Sequence, residues 1–321
     1  MADLLKGLAG KSAFLIAWTF AAAIAVGASA LFLLPTALNL GLAQFLNGWS
    51  EPTKGLVLVA LVMAVGFTMG ATSTPLYRLL EGYSWPRGLR DWASRRQQRR
   101  KWCLRTELDH LPQQKLIERA LVWERLSRYP PDDDQVTPTS LGNAIRAFET
   151  YGLDRFGLDS QSFWNELQAL APKNLQDELD NSRAATDFFV GMVYLTAFYG
   201  LAALALAGDK LHGNQGYDIP LIAQGAAVLV LGPALTYRLA ISSTTYWAST
   251  VQAMVNIGRV PLAQTMGLRM PATLEAERQM WTALSRLVFY PFDQDQIDEI
   301  DQFRAPPGSQ TASSSGWTCW A

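Results

Sequence analysis

Cysteine, histidine and charged residues are scarce in this chain of 321 residues, and each shortage excludes a class of structure or chemistry. The two cysteines, Cys103 and Cys319, form neither a CxxC motif nor a disulfide framework. The two histidines, His110 and His212, fall on opposite sides of the membrane in the topology predicted below, so they cannot share a metal ion. Charged residues make up 17% of the chain, whereas about 25% is usual in soluble proteins. The net charge of −1 gives no preference for nucleic acid.

Long uncharged stretches account for the low charge and predict an integral membrane protein. Four segments contain no charged side chain: residues 12–50, 55–77, 188–208 and 219–237. A spanning helix needs about 20 mostly apolar residues. Lipid offers no partner for backbone polar groups, so such segments must be helical. The sequence therefore predicts an all-α, polytopic membrane protein with four transmembrane helices, at about residues 13–35, 55–77, 188–208 and 219–238.

The distribution of basic residues predicts the orientation. Residues 78–105 contain nine Lys or Arg and two acidic residues, an excess that marks the cytoplasmic side. The connections 39–54 and 209–218 are nearly neutral. We therefore predict a two-plus-two arrangement in a bacterial inner membrane, with both termini in the cytosol. The predicted segments are a membrane hairpin (1–77), a cytosolic helical insert (78–187), a second hairpin (188–238), C-terminal cytosolic helices packing with the insert (239–304) and a disordered tail (305–321).

Helical spacing predicts the elements of the cytosolic insert. The pattern over 87–128 is interrupted around Leu111 and Pro112. Thr137 is a plausible N-cap with Pro138 at the first helical position. From residue 175 the helical pattern continues without a breaker into the third predicted span. A long helix that extends beyond that span is therefore expected.

The C-terminal part is predicted to contain two helices and a loop. The fourth span continues as helix through residues 239–257. The following loop is punctuated by Gly258, Pro261, Gly267 and Pro271. Thr273 then caps a helix whose apolar face is formed by Trp281, Leu284 and Val288.

Two polar groupings and one glycine motif are candidate interaction features. The first, called the polar cluster, either binds an anionic ligand or docks the cytosolic helices onto the membrane ends by ion pairs; it contains Arg78, Glu81, Asn143, Arg146, Glu149, Arg155 and Asp159. The second, called the basic patch, is predicted to attract anionic headgroups; it contains Arg87, Arg90, Arg95, Arg96, Arg99, Arg100 and Lys101. Gly66 and Gly70 are spaced for close helix packing, within the chain or between copies.

No pattern of residues indicates catalysis, a metal site or a cofactor. The sequence has no P-loop, GxSxG, HExxH or strand-associated GxGxxG motif. No Asp, Glu, Lys, Arg or His lies in the middle of a predicted span, which argues against a coupled transporter.

Several segments resemble a family of bacterial four-span inner-membrane proteins that have a cytosolic helical insert. They are LLEGY at 79–83, TSLGNAIRAFE at 139–149, RFGLDSQSFW at 155–164 and PATLEAERQMW at 271–281. The resemblance implies the two-plus-two arrangement and the inner-membrane location. It implies no activity, because none is assigned to that family.

Three functions are compatible with these observations. The first is a membrane-anchored scaffold or sensor whose cytosolic helices bind a partner protein or a small anion. The second is an oligomeric pore or membrane-perturbing effector gated by the cytosolic part. The third is an enzyme at the headgroup interface that uses Glu81, Glu149 or Asp159 as acid or base. The first is favoured because no catalytic set or transport chemistry is evident.

Overall fold

The structure, a computed structural model, describes residues 2–37, 49–212, 218–289 and 299–305. Its α-helices in these ranges are, in chain order, α1 (Ala2–Ala28), α2 (Leu34–Ala37), α3 (Glu51–Ala71), α4 (Ser73–Glu81), α5 (Arg87–His110), α6 (Leu116–Leu126), α7 (Ser140–Glu149), α8 (Tyr151–Phe156), α9 (Trp164–Leu170), α10 (Lys173–His212), α11 (Ile219–Thr265) and α12 (Leu274–Phe289). A π-helical segment, Ser29–Leu33, joins α1 to α2. The described part of the chain contains no strand, and Leu268 and Arg304 form an isolated antiparallel bridge. The all-α prediction is therefore confirmed.

Four helical segments are long and apolar enough to cross a membrane, as the prediction of a multi-pass membrane protein requires. They are Leu15–Leu33, Glu51–Ala71, Lys173–Lys210 and Ile219–Thr265. The predicted break between α5 and α6 and the long helix α10 are also confirmed. The predicted tail, apart from residue 305, lies outside the described residues.

Contacts divide the chain into two compact units that each combine distant segments of sequence. Unit 1 comprises Met1–Gln97, Thr137–Gly142 and Leu179–Trp247, and unit 2 comprises Gln98–Val136, Asn143–Glu178 and Ala248–Ala321. The predicted limits of the membrane and cytosolic segments stay predictions.

Small residues allow close helix packing in unit 1. A Cβ atom at Gly66 would lie 2.8 Å from Thr19 Cα, so α3 approaches α1 at this point. A Cβ atom at Gly232 would lie 2.8 Å from Thr196 Cβ, where α11 meets α10. Gly66 and Gly70 are both buried. Gly66 is thus used for packing within one chain, which is one of the two uses predicted for it.

The second predicted span is interrupted, contrary to the continuous helix expected over residues 55–77. Thr72 separates α3 from α4. Pro75 explains the interruption, because a proline cannot donate to the carbonyl oxygen of Ala71 and its ring clashes with that group. At the interruption, the Thr72 hydroxyl donates a hydrogen bond to Thr68 O at 2.7 Å.

Helix α7 begins later than its sequence indicated. The predicted N-cap was Thr137, but the helix starts at Ser140 and Thr139 caps it. The Gly142 amide donates to Thr139 Oγ1 at 3.0 Å. The cap position thus shifts by two residues because Thr139 satisfies one of the free amides of the first turn.

Helix α11 continues through a region that was predicted to be a loop. Gly258 and Pro261 lie inside it rather than beyond it. A Cβ atom at Gly258 would lie 2.8 Å from Leu167 Cδ2, so in unit 2 this glycine permits close packing instead of ending the helix. Pro261 falls in the last turns, and the Thr265 hydroxyl donates to Pro261 O at 2.8 Å.

Helix α12 of unit 2 is capped as predicted, but its packed face is shorter than expected. The Ala276 amide donates to Thr273 Oγ1 at 3.3 Å. Trp281 and Leu284 are buried, whereas Val288 is 55% exposed. Val288 is therefore not part of the buried face, because burial along α12 is confined to residues 277–284.

Candidate interaction site

Helix α6 of unit 2 exposes large apolar side chains, called here the α6 apolar face. Leu116 is 74% exposed, Ile117 78%, Leu121 52% and Trp123 55%. At 100° per residue these positions lie within one half of the helix circumference. Single exposed apolar residues are ordinary, whereas a larger exposed apolar patch is typical of an interaction surface.

The opposite side of α6 holds the helix in place, so the apolar face is not its packing surface. Val122 is 1% exposed. The Arg119 guanidinium donates to Leu108 O at 2.9 Å and to Leu111 O at 2.8 Å. These bonds also satisfy carbonyl groups near the end of α5. The structural role of α6 is therefore met without the apolar face.

Most of the basic patch is exposed along α5. Arg87, Arg95, Arg96, Arg99 and Arg100 are exposed and Arg90 is half-buried. The four from Arg87 to Arg96 belong to unit 1, and Arg99 and Arg100 belong to unit 2. Their attraction to lipid headgroups stays a prediction.

Lys101 does not belong to that exposed surface, which corrects its assignment to the basic patch. Its side chain is 2% exposed. Its ammonium group donates to Pro131 O at 2.7 Å and to Asp133 Oδ1 at 2.5 Å. The hydrogen bond from Lys101 holds the pKa of Asp133 below its usual value. A buried lysine is tolerated here because its charge is paired.

In unit 2 the residues of the polar cluster mostly bind each other and nearby backbone. Asn143 is 1% exposed. Arg146 Nε donates to Gln135 Oε1 at 3.2 Å, and Arg146 Nη1 lies 3.6 Å from Glu149 Oε2. Burial raises the pKa of Glu149, and the neighbouring Arg146 charge opposes that rise. These contacts are one ion pair between Arg146 and Glu149 and one hydrogen bond from Arg146 to a neutral amide.

The two remaining members of the polar cluster in unit 2 also have local partners. The Arg155 guanidinium lies 5.6 Å from the Tyr151 ring centre. Asp159 accepts hydrogen bonds from Ser162 Oγ at 2.7 Å and from the Gln161 amide at 3.1 Å, so it caps a turn before α9. A ligand would have to compete with these bonds, and the binding role of the cluster stays a prediction.

Arg78 and Glu81, which complete the polar cluster, belong to unit 1. They lie at the end of α4, where Gly82 adopts a positive φ of 90° as the C-cap. A Cβ atom at Gly142 would lie 2.8 Å from the Glu81 carbonyl oxygen, so the α4 terminus and the start of α7 are in close contact.

A buried ion pair in unit 2 was not foreseen. Arg259 Nη1 lies 2.5 and 2.6 Å from the two carboxylate oxygens of Glu277. Trp281 Nε1 donates to the same carboxylate at 3.2 Å, and the guanidinium lies 4.2 Å from the Phe156 ring centre. One signal in the sequence was available: Glu277 precedes the buried Trp281 by four residues, which places an acid on the apolar face of α12.

A second unforeseen polar group lies in unit 1. Asp187 is fully buried and accepts a hydrogen bond from the Tyr77 hydroxyl at 2.8 Å. Arg183 Nε lies 3.8 Å from its other oxygen. The available signal was an acid directly before the uncharged stretch 188–208, where an unpaired carboxylate would be costly.

Comparisons with protein-family models, curated proteins and solved structures found no match to this chain. Among the described residues, no three His, Cys, Asp or Glu side chains lie close enough together to hold a metal ion. The function therefore has to be inferred from the side chains themselves, and the α6 apolar face is one feature of the described residues that internal packing does not explain.

Proposed function

We propose that this chain is a multi-pass protein of a bacterial inner membrane that acts as a membrane-anchored scaffold and binds a partner protein through the α6 apolar face. Four long apolar helices support the membrane location. The excess of basic residues in 78–105 supports a cytosolic location for α5 and α6 and for both termini. The four segments at 79–83, 139–149, 155–164 and 271–281 support membership in the family named above, which adds no activity.

The observation that carries the proposal is the exposure of Leu116, Ile117, Leu121 and Trp123 on one side of a helix that is anchored by its other side. Apolar residues at i, i+1, i+5 and i+7 form a stripe of the kind that amphipathic helices bind. Leaving this surface in water loses roughly 25 cal/mol per Å² relative to burying it. A partner would recover that free energy.

Charge indicates the chemistry of the partner. Apart from the buried Lys101, residues 98–128 contain seven basic and four acidic residues, a net charge of +3. An acidic amphipathic helix complements an apolar face in basic surroundings. Glu124 lies within the same arc of α6 as the apolar residues. Glu124 pairs with Arg128 at 2.8 Å. A bilayer would have to desolvate this pair, whereas a protein interface accommodates paired charges, so a protein is favoured over lipid.

Site-specific photocrosslinking in cells tests the proposal. A photoreactive phenylalanine replaces Ile117 in the full chain, and the matched control replaces Glu118, which is next to it but outside the apolar arc. We expect one protein adduct of defined mass from position 117 and none from position 118. Leu121→Asp should abolish that adduct while the protein remains in the membrane. An adduct with lipid, an adduct with a second copy of the chain, or the same adducts from both positions would contradict the proposal.

The orientation is tested separately with Cys103, which is an exposed free cysteine on α5. In a Cys319→Ser background, a membrane-impermeant maleimide should leave intact cells unlabelled and should label inverted vesicles. Asp209→Cys in a variant lacking both native cysteines is the control, because residues 209–218 are predicted to face outward. Labelling of Cys103 in intact cells would reverse the proposed topology.

The alternative functions receive less support. Gly66 and Gly232 pack inside one chain, so these glycines provide no surface for an oligomeric pore. An interfacial enzyme would need a free carboxylate, whereas Asp159 caps a turn, Glu149 faces Arg146 and Glu81 also has an interaction partner. Both functions therefore rank below the scaffold.

A further inference from the structure

A cavity of about 220 Å³ lies within unit 1, between α1, α10 and α11. Its wall on α1 and the following π-helical segment extends from Ile24 to Phe32, nine residues that span about 12 Å along a helix axis. Phe32 belongs to the π-helical segment, whose wider turn displaces the backbone from regular α geometry. Leu195 and Val228 line the opposite walls. The cavity is therefore an elongated apolar slot, named here the α1 slot.

One polar pair lies in this slot. Gln224 Nε2 donates to the Tyr199 hydroxyl oxygen at 2.9 Å. Tyr199 is 7% exposed, and its hydroxyl proton has no acceptor among the described residues. The other hydroxyl of the lining, that of Thr196, donates to Met192 O at 2.6 Å. The Tyr199 O–H donor is available to a molecule that enters the slot.

The position of the pair along the membrane normal follows from helix geometry. Asp218, paired with Lys210 at 2.7 Å, marks the polar end of the α10–α11 hairpin. Gln224 lies six residues further along α11, about 9 Å from that end. The polar headgroup layer is about 5–8 Å thick on each side. The pair is therefore close to the edge of the hydrocarbon region, and Val228 lies about 6 Å deeper.

We propose that the α1 slot binds one acyl chain of a bilayer glycerolipid, with the ester carbonyl of that chain accepting a hydrogen bond from the Tyr199 hydroxyl. The ester carbonyls of such a lipid join its headgroup region to its acyl chains. From the headgroup towards the bilayer centre, the lipid presents its ester carbonyl and then its acyl chain. In the same direction, the slot presents the Gln224–Tyr199 pair and then its apolar wall. The proposal rests on the membrane placement described above and is independent of the α6 apolar face.

The test uses the full chain in nanodiscs that contain a phosphoglycerol lipid with a photoreactive diazirine in its hydrocarbon chain. The lipid is supplied either as the diester or as the matching diether. Adducts are mapped by mass spectrometry. We expect the diester to label the slot about fivefold more than the diether, because the ether lacks the carbonyl and a net hydrogen bond corresponds to about that factor. Tyr199→Phe keeps the ring and removes the proton, so it should bring the two probes to equal labelling.

Val228→Phe should fill the slot and abolish its labelling. Val230→Phe is the matched control, because Val230 lies two residues away on the same helix and is 67% exposed. Thermal unfolding in detergent checks that both variants fold. An unchanged diester preference in Tyr199→Phe, or equal labelling of the two phenylalanine variants, would overturn the proposal. Carbonate extraction tests separately whether the protein is in the membrane. If the protein is retained, either of those results counts against lipid binding in the slot and not against the membrane location.

Discussion

The ion pair Arg259–Glu277 of unit 2 allows a prediction about what happens when one of its two charges is left unpaired. Replacing Glu277 by leucine removes both carboxylate oxygens at 2.5 and 2.6 Å from Arg259 Nη1. The guanidinium would keep its contact with the Phe156 ring, 4.2 Å away. It would otherwise be an unpaired charge with 26% of its side chain exposed.

The expected loss follows from that geometry. Breaking a buried pair by removing one partner costs about 3–5 kcal/mol. The partial exposure of Arg259 favours the lower end, and the Trp281 indole N–H, which donates to Glu277 at 3.2 Å, adds about 1 kcal/mol when it loses its acceptor. We therefore expect Glu277→Leu to cost about 4 kcal/mol. The double variant Arg259→Met with Glu277→Leu removes both charges and should cost about 1 kcal/mol, from the indole alone.

Native-state hydrogen exchange of the full chain in mild detergent measures this locally. Amides of α12 should exchange close to a thousandfold faster in Glu277→Leu and less than tenfold faster in the double variant, since 1.4 kcal/mol corresponds to a factor of ten. Amides of α3, which belongs to unit 1, are the internal reference and should not change.

The comparison between the single and double variants shows whether an unpaired charge causes the loss of stability. If the α12 amides of the double variant exchange as fast as those of Glu277→Leu or faster, the loss of stability would come from the shape of the carboxylate side chain and not from an unpaired charge. The reasoning from burial to free energy would then be refuted for this pair.

Two further predictions concern packing and pH. Gly66→Leu should destabilise the protein by about 3 kcal/mol, because its Cβ would lie 2.8 Å from Thr19 Cα. Gly55→Leu on the same helix is the control and should be neutral, because its Cβ would meet nothing within 4 Å. Thermal unfolding in detergent compares the two variants, and equal losses of stability would contradict the packing argument. Asp133→Asn should cost about 2 kcal/mol near neutral pH because the buried Lys101 ammonium loses its anionic partner. The folded-state pKa of Asp133 is lowered, so its stabilising effect exists above its ordinary pKa and is lost as pH falls through the lowered value. The gap in unfolding free energy between the two proteins should therefore close in acid, and a constant gap at every pH would contradict this.

Apolar length made the membrane helices predictable from sequence, because it depends on no distant partner. Local breakers were less reliable. Gly258 and Pro261 suggested a loop, yet α11 passes through both, since packing of Leu167 against Gly258 outweighs the low helix propensity of glycine. Thr137 and Thr139 are both acceptable caps by sequence. Which one is used depends on the contact between the start of α7 and the end of α4.

The polar features were the least predictable part. Lys101 belongs to a run of basic residues, and its burial depends on Asp133, which lies 32 residues away. Arg259 and Glu277 come together only when α11 and α12 pack in unit 2. The α6 apolar face was overlooked for a different reason. Apolar spacing in a helix indicates an amphipathic face, but whether that face is buried is a tertiary property.

The π-helical segment has a consequence for how the length of this chain can vary. A π-helical turn closes its hydrogen bonds over five residues instead of four, so Ser29–Leu33 holds one residue more than an α-helix needs at that place. Deleting one residue there would restore regular α geometry and leave the flanking residues on their original faces. The same deletion at Ala21 would rotate everything beyond it by about 100°. A natural variant that lacks Phe32 should therefore insert and fold normally while having lost the wall of the α1 slot that Phe32 provides.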